Sequence, residues 1–142
     1  MEAAITAIMA LSEVHFYGAG VIYLGPVGNV LRCDRPGSPL VYSKATAPWV
    51  AFSDAMFKSG AVQCGDYVLV REHLPDGTTR SFTANVYDSG SFGDHTTLGG
   101  LPIVVDGPPW VVSWPMYPGW ARVEVFNFSA VARECRKRGI CD

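Results

Sequence analysis

Glycine and proline recur along this sequence at short intervals, and their frequency limits the folds that are open to it. The chain of 142 residues contains 15 glycines and 10 prolines, a composition that suits many short strands joined by tight turns. The length fits one domain, because two halves would each be too small to bury an adequate core. The sequence therefore predicts a single all-β domain over residues 1–142, with minor helices at its termini.

The strongest strand signal is a hairpin in the middle of the chain. Residues 67–72 and 80–87 flank a Leu-Pro-Asp-Gly-Thr segment, in which Pro75 presets φ and Gly77 accepts a positive φ. The second arm alternates apolar and polar side chains, and this period of two is typical of a half-buried strand. Further strands are predicted at residues 15–24, 30–32, 40–42, 49–52, 102–105, 110–114 and 121–126.

Both ends of the chain are predicted to be helical. Ile5, Ile8 and Met9 lie at helical spacing and predict a short helix or docking arm. Asn127 or Ser129 can cap a closing helix, which we expect to stop near residue 139. The expected division is an arm with the first strand over 1–25, a barrel over 26–126 and a helix over 127–142.

The net charge and the N-terminal segment indicate which partners and which location to expect. The net charge of −2 gives no electrostatic reason to expect nucleic acid. The apolar segment 3–11 is too short to span a bilayer, and it lacks the basic region that begins a signal peptide. We therefore expect no membrane partner, and an extracellular or virion-associated location that is reached by another route, such as release by lysis.

The four cysteines leave the redox state of the protein open. Cys33, Cys64, Cys135 and Cys141 allow three pairings, and the sequence does not choose among them. No C-x-x-C motif is present, so neither a zinc site nor another metal or cofactor is predicted. Buried reduced thiols are one interpretation, and a Cys33–Cys64 bridge within an oxidising environment is the other.

Several segments together resemble a known family. They are Pro-Trp-Val-Ala-Phe-Ser at 48–53, Cys-Gly-Asp-Tyr-Val-Leu-Val at 64–70, Asp-Gly at 76–77, Ala-Asn-Val-Tyr-Asp-Ser-Gly-Ser-Phe at 84–92, Ile-Val-Val-Asp at 103–106 and Ala-Arg-Val-Glu-Val-Phe at 121–126. Their order and spacing resemble the double-psi β-barrels of the RlpA, expansin, endoglucanase-45 and MltA-type group. The resemblance covers about the C-terminal two-thirds of the chain and implies a small six-stranded barrel.

The same resemblance implies a pair of carboxylates in a groove. The positions that match the two aspartates of the family are Asp88 and Asp106, and such a pair suits glycosidic chemistry with one acid and one ionised partner. Asp88 is expected to be the acid. The family usually shows Asp-Arg-Gly or Asp-Thr-Gly, whereas this chain has Asp88-Ser89-Gly90. The alternative for Asp88 is an Asx turn that accepts from Gly90 or Ser91, and for Asp106 a turn before Gly107.

Aromatic residues crowd the segment that follows Asp106. Trp110, Trp114, Tyr117 and Trp120 fall within eleven residues, and His95 lies in the preceding polar loop. Exposed aromatic rings stack well on sugars, so these five residues are candidate substrate contacts. The alternative is that the rings fill the barrel end or an interface between subunits.

Three functions remain open from the sequence. The first is a protein directed at polysaccharide or peptidoglycan, which binds glycan strands or cleaves them. The second is a non-catalytic, homo-oligomeric or otherwise assembled subunit, such as a part of a phage virion. The third is an aspartic-type protease, because Asp-Ser-Gly at 88–90 resembles that signature, although a chain this short would have to dimerise to supply a second aspartate.

Overall fold

The fold is known from a computed structural model, which describes residues 3, 14–22, 28–37, 39–90, 97–112 and 120–140. Its helices and strands follow the predicted order for most of the chain. The predicted N-terminal helix around residues 5–9 lies outside the described residues. The elements are β1 His15–Ile22, β2 Trp49–Ser53, α1 Asp54–Lys58, β3 Tyr67–His73, β4 Thr79–Gly90, β5 Thr97–Leu98, β6 Leu101–Gly107, β7 Trp120–Asn127 and α2 Phe128–Lys137.

Six of the strands form a closed sheet. Their order is β1-β7-β3-β4-β2-β6, and β6 pairs again with β1. The β1–β6 and β2–β4 pairs are parallel, while the other pairs around the ring are antiparallel. If β1 is exchanged with β4, β2 with β6 and β3 with β7, the same strands remain paired and each pair keeps its parallel or antiparallel direction. The chain therefore contains two halves with the same connectivity, and the predicted mainly β fold with six strands in a ring is confirmed.

The interior of the closed sheet is built from small and branched apolar side chains. Burial alternates along β3, where Val68 and Val70 point inward and are fully buried. At one position even a methyl group would not fit, because a Cβ on Gly18 would lie 2.5 Å from Cγ2 of Val104. The buried cluster consists of Phe16, Val50, Phe52, Val62, Val68, Val70, Ala84, Val86, Val104, Val105, Val112, Ala121, Val123 and Val125.

The closing helix spans Phe128–Lys137 and so begins at a predicted cap and stops before Gly139, short of the predicted range 127–142. Asn127 is the N-cap, and its side-chain oxygen accepts a hydrogen bond from the backbone N–H of Ala130 at 3.0 Å. Gly139 follows the helix with φ of 68°, a left-handed conformation that glycine adopts without strain. Buried Asp66 fixes α2 to the sheet, because its carboxylate accepts two hydrogen bonds from Arg133, at 2.6 and 2.9 Å.

The structure also differs from the sequence interpretation in places. The central hairpin is confirmed, but the strand predicted at 110–114 is wrong over its described part. Residues 110–111 belong to a turn in which the N–H of Val111 donates to the carbonyl of Pro108. Of the strands predicted at 30–32 and 40–42, only an isolated bridge between Val30 and Val41 forms. No helix among the described residues has the length and apolar character needed to cross a membrane.

A disulfide joins Cys33 to Cys64, with 5.5 Å between their Cα atoms. Cys135 is disulfide-bonded as well. The interpretation of these cysteines as reduced thiols is therefore wrong. The Cys33–Cys64 bond lies outside the ring of strands, and it ties the irregular segment 28–42 to the turn that precedes β3.

Candidate active site

Two aspartates flank one residue of β2 on the same face of the sheet. Ala51 pairs with Asp88 of β4 on one side and with Asp106 of β6 on the other. Paired residues on neighbouring strands point to the same face, and two strand spacings separate the aspartate Cα atoms by about 10 Å. The pairing between β2 and β4 shifts by one residue of β4 between Val50 and Ala51 of β2, and this shift places Asp88 opposite Ala51. The structure therefore brings together the two residues that the sequence singled out.

Asp106 is a buried and electrostatically unusual acid. Only 7% of the residue is exposed, and its Oδ1 atom has no hydrogen-bond partner among the described residues. Burial first, and the negative charge of Asp88 second, raise the pKa of Asp106 to about 8. Its carboxyl group is consequently neutral over most of the physiological pH range. The predicted turn at Asp106 is wrong, because the residue lies within β6 and the turn starts at Pro108.

Asp88 occupies a half-buried and more polar position. Its Oδ1 atom accepts a hydrogen bond of 2.9 Å from the backbone N–H of Arg32, 56 residues away in sequence. Burial raises the pKa of Asp88, while hydrogen bonds from the N–H groups of Arg32 and Ser89 oppose that increase. The Asx-turn alternative predicted a hydrogen bond to Asp88 from the N–H of Gly90 or Ser91. The structure instead shows a long-range donor, the N–H of Arg32.

Arg32 organises the surroundings of Asp88, although the sequence analysis did not select it. Its Nη1 atom donates to Oγ of Ser89 at 2.8 Å and lies 3.5 Å from Oδ1 of Asp54. The guanidinium also lies over the ring of Phe57, 4.4 Å from the ring centre. No local pattern marks Arg32, since all of these partners are distant in sequence. The only local signal nearby is Ser53, which caps α1 and so fixes Asp54 in its first turn.

The segment 28–42 covers this face of the sheet with an apolar cluster. Trp110 belongs to it and packs edge-on against Tyr42, with 4.9 Å between the ring centres. This contact supports the alternative that Trp110 fills the fold instead of offering a free surface to a sugar. The cluster comprises Leu31, Tyr42, Trp49 and Ala51, with Leu40, Tyr87 and Trp110 packed against them.

Trp120 lies in the same cross-strand row as the two aspartates. It pairs with Val21 of β1, and Val21 pairs with Asp106. The row therefore runs Trp120, Val21, Asp106, Ala51, Asp88 across five strands on one face. The Trp120 ring packs on Gly99 and borders a cavity of about 270 Å³. The other predicted contacts, His95, Trp114 and Tyr117, lie outside the described residues.

The comparisons with known proteins assign no family. No family model matches the sequence, and no curated protein is significantly similar to it. Within the part of the chain that the structure describes, no group of three or more His, Cys, Asp or Glu side chains is placed to hold a metal ion. The chemical features of the site are thus the carboxyl pair, the guanidinium beside it and the aromatic ring in the same row.

Proposed function

We propose that this chain is a double-psi-type β-barrel that binds glycan strands and cleaves glycosidic bonds with Asp106 and Asp88. The observation that carries the proposal is the raised pKa of buried Asp106, about 8, directly across β2 from a second carboxylate. Two neighbouring carboxyl groups whose environments separate their pKa values are suited to paired acid and base roles.

The topology supports the double-psi assignment. A ring of six strands, made of two halves with the same connectivity and containing two parallel pairs, agrees with the fold that the sequence resembles. The two matched aspartates lie on β4 and β6, on either side of Ala51 of β2, and a pair that faces one groove is what the resemblance implies. The assignment rests on connectivity and on these two positions.

The electrostatics favour a different division of roles from the one that the sequence suggested. Asp106 holds its proton at neutral pH, so it is the better acid, and its proton passes to the glycosidic oxygen as the bond to the anomeric carbon breaks. Asp88 is assigned the ionised role: burial raises its pKa, but the Arg32 and Ser89 N–H groups oppose that increase by favouring the charged form. It either stabilises the positive charge that develops on the sugar or takes a proton from the attacking water.

The row of cross-strand neighbours provides a direction for a bound chain. Trp120 lies two strands from Asp106, which corresponds to about 10 Å between Cα atoms. A half-buried indole at this distance can stack on one sugar while the adjacent linkage reaches the carboxyl pair. This arrangement makes Trp120 the best-supported aromatic contact among the residues that the structure describes.

Purified peptidoglycan and a panel of soluble polysaccharides, followed for release of reducing ends or soluble fragments, would test the proposal. We expect cleavage to fall at least about a hundredfold in Asp106→Asn and in Asp88→Asn. Asp76→Asn, an exposed turn residue, is the matched control and should cleave normally. Full activity in both site variants, or no cleavage and no binding by the native chain, would refute it. Peptide cleavage inhibited by pepstatin would instead support the protease function.

One surface observation favours the second candidate, a non-catalytic subunit of an assembly. Tyr67 and Phe128 are each 42% exposed and stack on one another with 6.1 Å between ring centres, and Tyr17 is 56% exposed. Exposed tyrosine and phenylalanine side chains are enriched in contacts between proteins. Light scattering on the pure protein tests this candidate, which predicts an oligomer that Tyr67→Ser and Phe128→Ser dissociate. A monomer at all concentrations would contradict it.

A further inference from the structure

A second open cavity lies beside Asp88. It has a volume of about 300 Å³, at the lower end of the range for small-ligand sites. Its walls include Arg32 and Tyr87, and these residues contact or immediately precede Asp88. A ligand in this cavity is therefore next to Asp88, one of the two proposed catalytic carboxylates. The lining residues are Arg32, Cys33, Asp34, Arg35, Leu40, Cys64, Gly65 and Tyr87.

The charged residues that line this cavity are Arg32, Asp34 and Arg35. The carboxylate of Asp34 accepts a hydrogen bond of 2.6 Å from the backbone N–H of Leu40, and this bond holds the turn of the segment closed. Arg32 is engaged with Ser89 and Asp54. Arg35 is exposed and forms no ion pair with any carboxylate of the described residues. Its guanidinium carries five donors and matches a carboxylate in a two-bond geometry.

The disulfide fastens the backbone two residues before Arg35. Cys33 lies two residues before Arg35 and is bonded to Cys64, while the N–H of Cys33 donates to the carbonyl of Tyr87 at 2.9 Å. The backbone that carries Arg35 is therefore fastened to the sheet on the side of Asp88. A guanidinium carried on a fastened backbone leaves less of the loop to be ordered on binding than one on a free loop.

From these features we infer that the site selects glycans with a carboxylate on the sugar, and that Arg35 binds this group beside the bond to be cleaved. The inference rests on the proposed function and narrows its substrate class. Two kinds of carboxylate have this chemistry, the C6 carboxylate of a uronic acid and a lactyl ether carboxylate on an amino sugar. A neutral glycan of the same length makes the same stacking contacts but leaves Arg35 without a partner.

Calorimetric binding to three hexasaccharide probes at low ionic strength would test the inference. The probes are a β-1,4-linked N-acetylglucosamine hexamer, an alternating hexamer with free lactyl carboxylates and a galacturonate hexamer. The Asp106→Asn variant replaces the native chain so that no probe is cleaved. We expect at least one acidic probe to bind about tenfold more tightly than the neutral one, with the preference lost in a second substitution, Arg35→Gln. Preference for only one acidic probe supports the inference and identifies the source of the carboxylate.

A matched control separates this charge from the general charge of the protein. Arg136→Gln removes an exposed cation from the last turn of α2 and should leave the preference unchanged. Equal binding of acidic and neutral probes, or an acidic preference that survives Arg35→Gln, overturns the inference. If neutral glycans are cleaved and Arg35→Gln has no effect, the inference fails and the proposed function stands. If the acidic preference depends on Arg35 but no glycan is cleaved, the catalytic proposal fails and the binding site stands.

Discussion

The raised pKa of Asp106 predicts a specific dependence of stability on pH. In the unfolded chain an aspartate has a pKa of about 3.9, whereas in the folded protein burial and the charge of Asp88 raise it to about 8. Between these values the folded state holds a proton that the unfolded state has released. Stability is therefore lost as pH rises through this window, by about 1.4 kcal/mol per pH unit for this group.

Replacing Asp106 with asparagine removes the titration and keeps the shape of the side chain. Between pH 5 and pH 7 the native chain should lose about 3 kcal/mol relative to Asp106→Asn, because two units of the window are crossed. Other groups titrate equally in both proteins and cancel in the difference. Since domains are stable by only about 5–15 kcal/mol in total, a change of this size is easily measured.

Urea unfolding followed by tryptophan fluorescence at pH 5, 6 and 7, at constant ionic strength, measures this difference. Asp76→Asn is the control, because hydrogen bonds from Thr78 lower the pKa of Asp76 and keep it ionised throughout this range. Its curve should run parallel to that of the native chain. If the curve of Asp106→Asn also runs parallel to that of the native chain, to within about 0.5 kcal/mol, Asp106 is ionised in the folded protein. Its assignment as the acid is then refuted.

Two further predictions concern the packing that supports the site. Arg133→Met should lower the free energy of unfolding by about 3 kcal/mol, since it leaves the buried Asp66 carboxylate without its cation. The control Arg138→Met removes an exposed ion pair at the C-terminal end of α2 and should cost less than about 0.5 kcal/mol. Equal losses in the two variants would contradict this explanation. Gly18→Ala should cost about 1–3 kcal/mol because its Cβ would overlap Val104, and an unchanged urea midpoint would show that the two strands can separate without cost.

Local features of the fold were predictable from the sequence because their causes are local. The alternation in β4, the Pro75–Gly77 turn and the Asn127 cap each involve residues within a few positions of one another. The ring closure was expected only through the family resemblance, since the parallel pairs join strands that are distant in the chain. The strand predicted around Trp110 failed because its apolar character serves packing against Tyr42, a contact that no periodicity encodes.

For the candidate site, too, some features were predictable from the sequence and others were not. Asp88 and Asp106 were selected from the resemblance, but their charge states depend on what covers them. Arg32, the principal contact of Asp88, lies 56 residues away in a segment with little regular secondary structure. No sequence pattern could show that Asp88 would receive this N–H group or that Asp106 would receive none from the described residues. The order of the two pKa values is thus a property of the tertiary structure.

One disulfide fastens the segment 28–42, which covers the carboxyl pair, to the turn before β3, and the last prediction concerns its removal. The Cys33–Cys64 bond closes a separation of 31 residues, so replacing both cysteines by alanine should cost about 3–4 kcal/mol through the entropy of the unfolded chain. Removing the disulfide should also affect the site, because of where Cys33 lies. Cys33 adjoins Arg32, and the segment that contains them covers the face on which Asp88, Ala51 and Asp106 lie.

Loosening this segment admits water to the pair and lowers the pKa of Asp106 from about 8, because burial is the larger cause of its increase. Carboxyl carbon shifts in NMR titrations of the native chain and the double alanine variant measure this value directly, and Asp106→Asn identifies the resonance. We expect the Asp106 midpoint to move toward lower pH while that of exposed Asp76 stays in place. An unchanged midpoint in a folded variant would mean that the strands alone exclude water from Asp106, and that the segment 28–42 acts on Asp88 only.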